Sequence, residues 1–563
     1  MSPSLGQSAL LEDCIQHILS FLRFNQVPTL CSLLRVNKAL YRITVPILYQ
    51  NPFLLVHNRK LDETERTERL ILLLRLFISE LDPSLRAELP PWLAEDEDED
   101  EDKGEGDTSQ QKPDVVGSGG YFYHYRRHDH SFLAIRAIPQ LFGTITKAQS
   151  QATLARLDRV FLRHCGSRAQ SICLPSSRAT QFLDFIPTLS CLKRLEIHDV
   201  INMTTSSLDS LVEWIKLHDN IHGTLRELSI GGAAEYDDCH NERDMKDLVR
   251  LPQAFKTLAT LDTRSWSEGW PMIDQISVEF LERLTMDYAE GQAPESGVDF
   301  LLRCRTLKVL DLFVPAQDTF QGVVKLSKSL HQHTSLYQPK TTSGVSQGVT
   351  LGGQGTVMPP IEKLYISGNH LNLRNALEDA AIGLSQSLRI LKATSLARYD
   401  VREPSLTWGQ PLGIQMPFLR ELQLQGDITL EFRFSLLRCC PNLISLKLLV
   451  NGVESCGQEN NPIEEILSLT KLQTLQLHGR WPLSMTFING LATTLTGLKI
   501  LDLARCFGVE LSQIMMAVRH MEFLWRLGWA MEDLEDAEEL SRYWSDHAPR
   551  IKIGEILWDE FSA

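Results

Sequence analysis

The sequence predicts an α/β chain. A small helical module at residues 1–60 precedes an irregular solenoid of strand-and-helix repeats, its strands forming a parallel concave sheet with helices on the convex side. Two patterns predict this. From about residue 165 the unit L-x-x-L-x-L recurs, and residues 10–49 follow a different, helical spacing of apolar groups. An acidic run from Glu95 to Asp107 separates the two regions.

In the N-terminal module, Leu10, Leu11, Ile15, Ile18, Leu19 and Leu22 recur at three- and four-residue steps and so share one face of an amphipathic helix. Asn25 to Pro28 ends that helix, and Leu30, Leu33, Leu34, Leu40 and Tyr41 resume the period, with Pro28 early enough to be tolerated in a first turn. About forty residues form a poor core alone, so the apolar face needs a second surface to cover it. Leu10-Leu11-Glu12-Asp13, Ile18-Leu19-Ser20-Phe21-Leu22 and Val36-Asn37-Lys38 resemble the opening, heart and close of the F-box. The continuation from Leu34 through Val45-Pro46-Ile47-Leu48-Tyr49 to Pro52 is similar to the form seen in large fungal F-box families. The resemblance implies that the helix face just named binds a Skp-family adaptor and, through it, a cullin ubiquitin ligase.

Residues 61–94 read as a helical connector, with Leu70, Leu73, Leu74 and Phe77 on one side of a helix from Glu63 to Leu81. Residues 95–120 read as a solvated acidic linker or loop, because like charges in an unbroken run repel one another. Its first thirteen residues hold ten acids and one lysine, and carry nine of the chain's fifteen net negative charges. The remainder is nearly balanced and has no basic stripe, which argues against nucleic acid as the main partner. The most apolar run, Leu70 to Ile78, is interrupted by Arg75 and is far shorter than the ~20 residues a bilayer requires, so no membrane is expected. Eleven cysteines without a C-x-x-C pair suggest reduced thiols, and the N-terminus has no basic segment followed by an apolar run. The expected location is therefore cytoplasm or nucleus. Tyr121 to His130 interleaves aromatic, basic and imidazole groups, a composition that suits RNA stacking or a metal. Without a second ligand cluster it reads as a half-buried strand leading into a loop.

The repeats then occupy 121–530. Central leucines fall at 195, 228, 261, 284, 310, 364, 391, 422, 446, 475 and 501, mostly 23 to 33 residues apart, with weaker copies beginning at Leu258 and Leu388. That interval fits a strand and a return helix. Neither can bury its apolar face alone, so each unit must stack on the next. The double-length interval between 310 and 364 holds a flexible insertion near 335–358, rich in Thr, Ser, Gly and Gln. After Leu503 the pattern fades, and residues 531–563 are expected to cap the last repeat. Units such as Leu443-Leu446-Leu448, entered through Phe434 to Asn442, resemble the irregular leucine-rich repeats that accompany F-boxes.

Nothing in the sequence sets out a catalytic site. Gly344-Val345-Ser346-Gln347-Gly348 matches a nucleophile elbow in letters only, since no buried strand precedes it. Gly352-Gly353-Gln354-Gly355 lacks the Lys-Ser/Thr of a phosphate loop. No cofactor or metal is expected. Binding is better supported, because residues flanking the inward leucines point out along one face of the sheet. These are Arg194, Glu196 and His198 in the early repeats, then Asp311, Phe313, Lys363, Tyr365 and Lys392. Glu421, Gln423, Lys447, Gln476, His478 and Asp502 complete the series. Mixed charge with aromatic and imidazole groups suits a protein partner. The resemblance thus implies a non-catalytic receptor subunit of a Skp-cullin-F-box ubiquitin ligase, with the repeats selecting the target protein. The alternative is a repeat scaffold outside any ligase.

Overall fold

The computed structural model describes residues 40–89 in part, 127–129, 147–175, 188–200 without 199, 203–231, 247–263, 276–287, 300–314, 360–368, 384–395 in part, 415–427, 434–451, 462–528 in part, and 552–554. The chain forms two compact units, Met1–Leu258 and Ala259–Ala563. Outside the described residues lie Leu10, Leu11, Ile15, Ile18, Leu19 and Leu22, the acidic run, the 335–358 insertion and Ser346.

In the first unit, β1 (Arg127–Asp129), β2 (Ser171–Pro175), β3 (Arg194–His198) and β4 (Glu227–Ile230) pair in sequence order, all parallel. Among the described residues, the helices that return the chain include α1 (Lys147–Cys165) and α2 (Thr205–His222). The start of α2 is set by Thr204, whose extended backbone lets its hydroxyl accept from the Ser207 amide at 3.2 Å. Its end is set by Gly223, which takes φ 62° and donates its amide to the Asp219 carbonyl. Between these caps Leu208, Leu211, Ile215 and His218 bury one face. His218 donates from Nε2 to the Leu189 carbonyl at 2.9 Å. Burial lowers its pKa from the ordinary 6.5, against the opposing pull of that hydrogen bond.

Upstream, Leu73, Leu74, Leu76, Phe77 and Ile78 are helical, and Phe77 is fully buried. Its ring meets Tyr49 edge-on at 6.3 Å and Phe161 of α1 at 6.4 Å. Arg163 of α1 also reaches Glu88 at 2.6 Å. Tyr49 therefore packs on the connector, and the connector on α1.

Among the described residues of the second unit, eleven strands pair in parallel, each with the next in sequence. They are β5 (Thr260–Thr263), β6 (Arg283–Asp287), β7 (Val309–Val314), β8 (Lys363–Gly368), β9 (Ile390–Ser395), β10 (Glu421–Asp427), β11 (Ser445–Asn451), β12 (Thr474–His478), β13 (Ile500–Asp502), β14 (Arg526–Gly528) and β15 (Lys552–Gly554). The leucine pattern sets their register. Leu284, Leu310, Leu364, Leu391, Leu422, Leu446, Leu475, Leu501 and Leu527 stand opposite one another, each at most 5% exposed. Burying a leucine contributes about 1.5 to 3 kcal/mol, so this row is the spine of the unit.

Before each strand one carbonyl accepts two amides from the following repeat. Ala259 accepts from Glu282 and Arg283, Glu282 from Lys308 and Val309, and the pattern continues to Lys499. Where the pattern is weak, the slot is still filled. Thr263 takes an apolar position, fully buried, and donates to the Thr285 carbonyl at 3.4 Å, while Ala393 fills another.

β7 pairs directly with β8, so the double-length interval places no strand between them. Helical returns in this unit include α3 (Pro462–Leu467), α4 (Met485–Thr494) and α5 (Leu511–Val518). The turn from Phe434 to Cys439 is instead a tight 3₁₀ helix. β14 and β15 carry the ladder past Leu503, the second of them inside the segment expected to cap the array. Among the described residues, no helix is long and apolar enough to cross a membrane.

Candidate protein-interaction face

Side chains alternate along a strand, so the residue between two buried leucines faces away from the core. In the second unit the register sets Asp311, Tyr365, Lys392, Gln423, Lys447 and Gln476 side by side. Neighbours in this row are separated by the ~4.8 Å between strands, and all six are half-buried. Phe313 lies on the next outward row, opposite Ser367. Lys363 is exposed and Glu421 half-buried on the row before the leucines.

Lys392 is the centre of this face. Its ammonium lies 3.0 Å from Glu421 and 5.8 Å from the centroid of the Tyr365 ring. A cation over an aromatic ring contributes roughly 0.5 to 1 kcal/mol at an exposed site, and the carboxylate adds an attraction of similar size. Both contacts fix the long lysine stem before any partner arrives. The part-exposed groups around it are two carboxylates, a cation, an aromatic ring and two amides, a mixture that suits charged and hydrogen-bonding side chains of a protein or peptide.

Two residues expected on this face are not available there. His478 is 6% exposed and Asp502 only 1%. They form a buried polar pair, with His478 Nε2 3.1 Å from Asp502 Oδ1, and Gln476 Nε2 donates to Asp502 Oδ2 at 3.3 Å. The reason lies in the neighbours. Asp502 is in register with Gly528, where even a Cβ atom would come within 2.7 Å of the carboxylate, so the absent side chain makes its space. Trp481, itself buried, donates to the His478 carbonyl at 3.3 Å and closes the other end. Cys506 is buried nearby, and burial together with the Asp502 charge pushes its thiol up, leaving it protonated and a poor nucleophile at neutral pH. Burial likewise pushes Cys304 and Cys440 up to about 12, consistent with thiols that pack.

On β3 of the first unit, Arg194, Glu196 and His198 are half-buried as expected for outward positions. Glu196 joins the other two: Oε2 lies 3.2 Å from Arg194 Nη2 and Oε1 lies 3.3 Å from His198 Nε2. The register adds Cys173 of β2 beside Glu196, a residue sequence reasoning passed over. The sequence also gave no weight to Phe280, Phe418 and Phe523, exposed at 49%, 48% and 58%. Each immediately precedes the first leucine of its unit, a repeated position that was readable in the pattern.

No protein-family profile matches the chain, and no curated protein sequence matches it. Among solved structures, the chain is similar to one from the crystal structure of the Rad7 and Elc1 complex in yeast, at 12% identity and TM-score 0.31, covering 98% of each chain. It also matches one from the mouse RP105/MD-1 complex, at 11% identity and TM-score 0.23, covering 65% of this chain and 59% of the other. Likeness at these TM-scores carries no argument about fold or role. The parallel repeat architecture stands on the register and burial of the leucines themselves.

Proposed function

We propose that this chain is a substrate receptor of a Skp-cullin-F-box type ubiquitin ligase, working in cytoplasm or nucleus without a catalytic site of its own. In this reading residues 10–22 hold the adaptor and the outward rows of β7 to β12 hold the target protein. The observation that carries it is the continuous outward row from Asp311 to Gln476, a preset protein-sized face on rigid strands, joined in one chain to an F-box-like sequence. Catalysis would come from proximity, the receptor holding the target beside the conjugating machinery. The test is co-purification with a fungal Skp-family adaptor. The intact chain should bind, while Leu19→Asp and a deletion of residues 1–60 should each lose binding with circular dichroism of the repeats unchanged. Failure of the intact chain to bind would remove the ligase assignment and leave a protein-interaction scaffold.

A further inference from the structure

The gathering of a thiol, a carboxylate and an imidazole on β2 and β3 has a use outside target recognition. Sγ of Cys173, a carboxylate oxygen of Glu196 and a ring nitrogen of His198 all lie within 4.8 Å of one another. Cys173 and Glu196 are register partners on adjacent strands, and His198 stands two residues after Glu196 on the same side of β3. The backbone of the sheet fixes all three.

We propose that Cys173, Glu196 and His198 bind a thiophilic divalent transition metal, zinc being the best fit, with a fourth position open on the outward face of the sheet. Zinc takes thiolate at ~2.3 Å, and imidazole and carboxylate at ~2.0 to 2.2 Å, so tetrahedral ligands stand about 3.4 to 3.8 Å apart. His198 Nε2 and Glu196 Oε1 are already 3.3 Å apart. The cluster closes around an ion with side-chain adjustments of about an ångström.

The surroundings favour the arrangement. Arg194 engages Glu196 through the other oxygen, Oε2, so Oε1 serves the metal while the guanidinium fixes the carboxylate plane. On its far side the His198 ring rests on Gly231, where a Cβ atom would come within 2.9 Å of Nδ1. That contact directs Nε2 toward the cluster. Cys173 is 1% exposed and the Glu196 side chain 12%, whereas the His198 side chain is 36% exposed, so the site is dry beneath and open above. Thiolate and carboxylate together neutralise a divalent ion. Three protein ligands with one open position describe an exchangeable site, in which water or a donor from a bound molecule completes the shell.

The test uses the full chain, stripped with chelator and titrated with Co²⁺, whose thiolate charge-transfer absorption reports a sulfur ligand directly. One equivalent should bind with that absorption, and Zn²⁺ should displace it. Cys173→Ser should abolish the charge-transfer band. His198→Ala, at a part-exposed position, should weaken binding at least tenfold with circular dichroism unchanged, as should Gly231→Ala by displacing the ring. Cys191→Ser, which alters an exposed thiol outside the cluster, should leave binding unchanged. No band in the wild-type chain, a band that survives Cys173→Ser, or affinity unchanged in His198→Ala would each overturn the site.

Discussion

Leu422→Ala is expected to destabilise the second unit by about 2 to 5 kcal/mol, read as a lower denaturation midpoint. Leu422 is fully buried on β10, in register with Leu391 on one side and Leu446 on the other. Truncation removes its own burial and leaves a cavity in the core beneath β10, between Leu391 and Leu446, which the hydrogen-bonded strands cannot close without breaking register. The next residue supplies the control. Gln423 is half-buried on the outward row, and Gln423→Ala should change stability by no more than about 0.5 kcal/mol. Comparable effects at the two positions would mean that the alternation assigned to β10 is wrong.

Gly508→Ala should cost about 1 to 3 kcal/mol, a large effect for a single methyl group. Gly508 adopts φ 93°, a backbone conformation open to glycine and strained for other residues. The added Cβ would also come within 2.6 Å of the Leu483 carbonyl oxygen, which is backbone and cannot rotate away. Gly497→Ala is the matched comparison, because a Cβ there meets its nearest atom at 4.0 Å. Equal stability of the two variants would contradict the turn geometry before α5.

The leucine pattern made the fold readable because every unit meets the same demand. One strand must bury alternate residues and lie against the next, and L-x-x-L-x-L states this locally. Thr263 and Ala393 show its tolerance, since a hydrogen bond or a small side chain fills the slot without moving a strand. Past Leu503 the leucine pattern fades while the spacing of the strands and their pairing both continue, so the ladder runs on through Leu527 to Ile553. The outward face was legible for the same reason, and Tyr365, Lys392 and Gln423 stand where alternation puts them.

What escaped the sequence depends on neighbours far along the chain. Alternation points His478 and Asp502 outward, but Gly528 and Trp481 decide that they are enclosed. Glu196 and His198 were visible as a pair on one strand. Cys173 joins them only through its register with Glu196, 23 positions further along the chain, which no local spacing reveals. The aromatic and histidine run ending at His130 reads locally as a strand, because the sequence shows no second group of ligands beside it. Of that run, β1 covers residues 127–129 and pairs Asp129 in register with Cys173; the rest lies outside the described residues.

Hydrogen exchange of the intact chain, with and without a saturating Skp-family adaptor, tests the central claim most directly. The account predicts new protection at residues 10–22, with the amides of β7 to β12 unchanged and their face left for a target. Absence of a complex, or protection confined to the strands while 10–22 exchange as before, would contradict it.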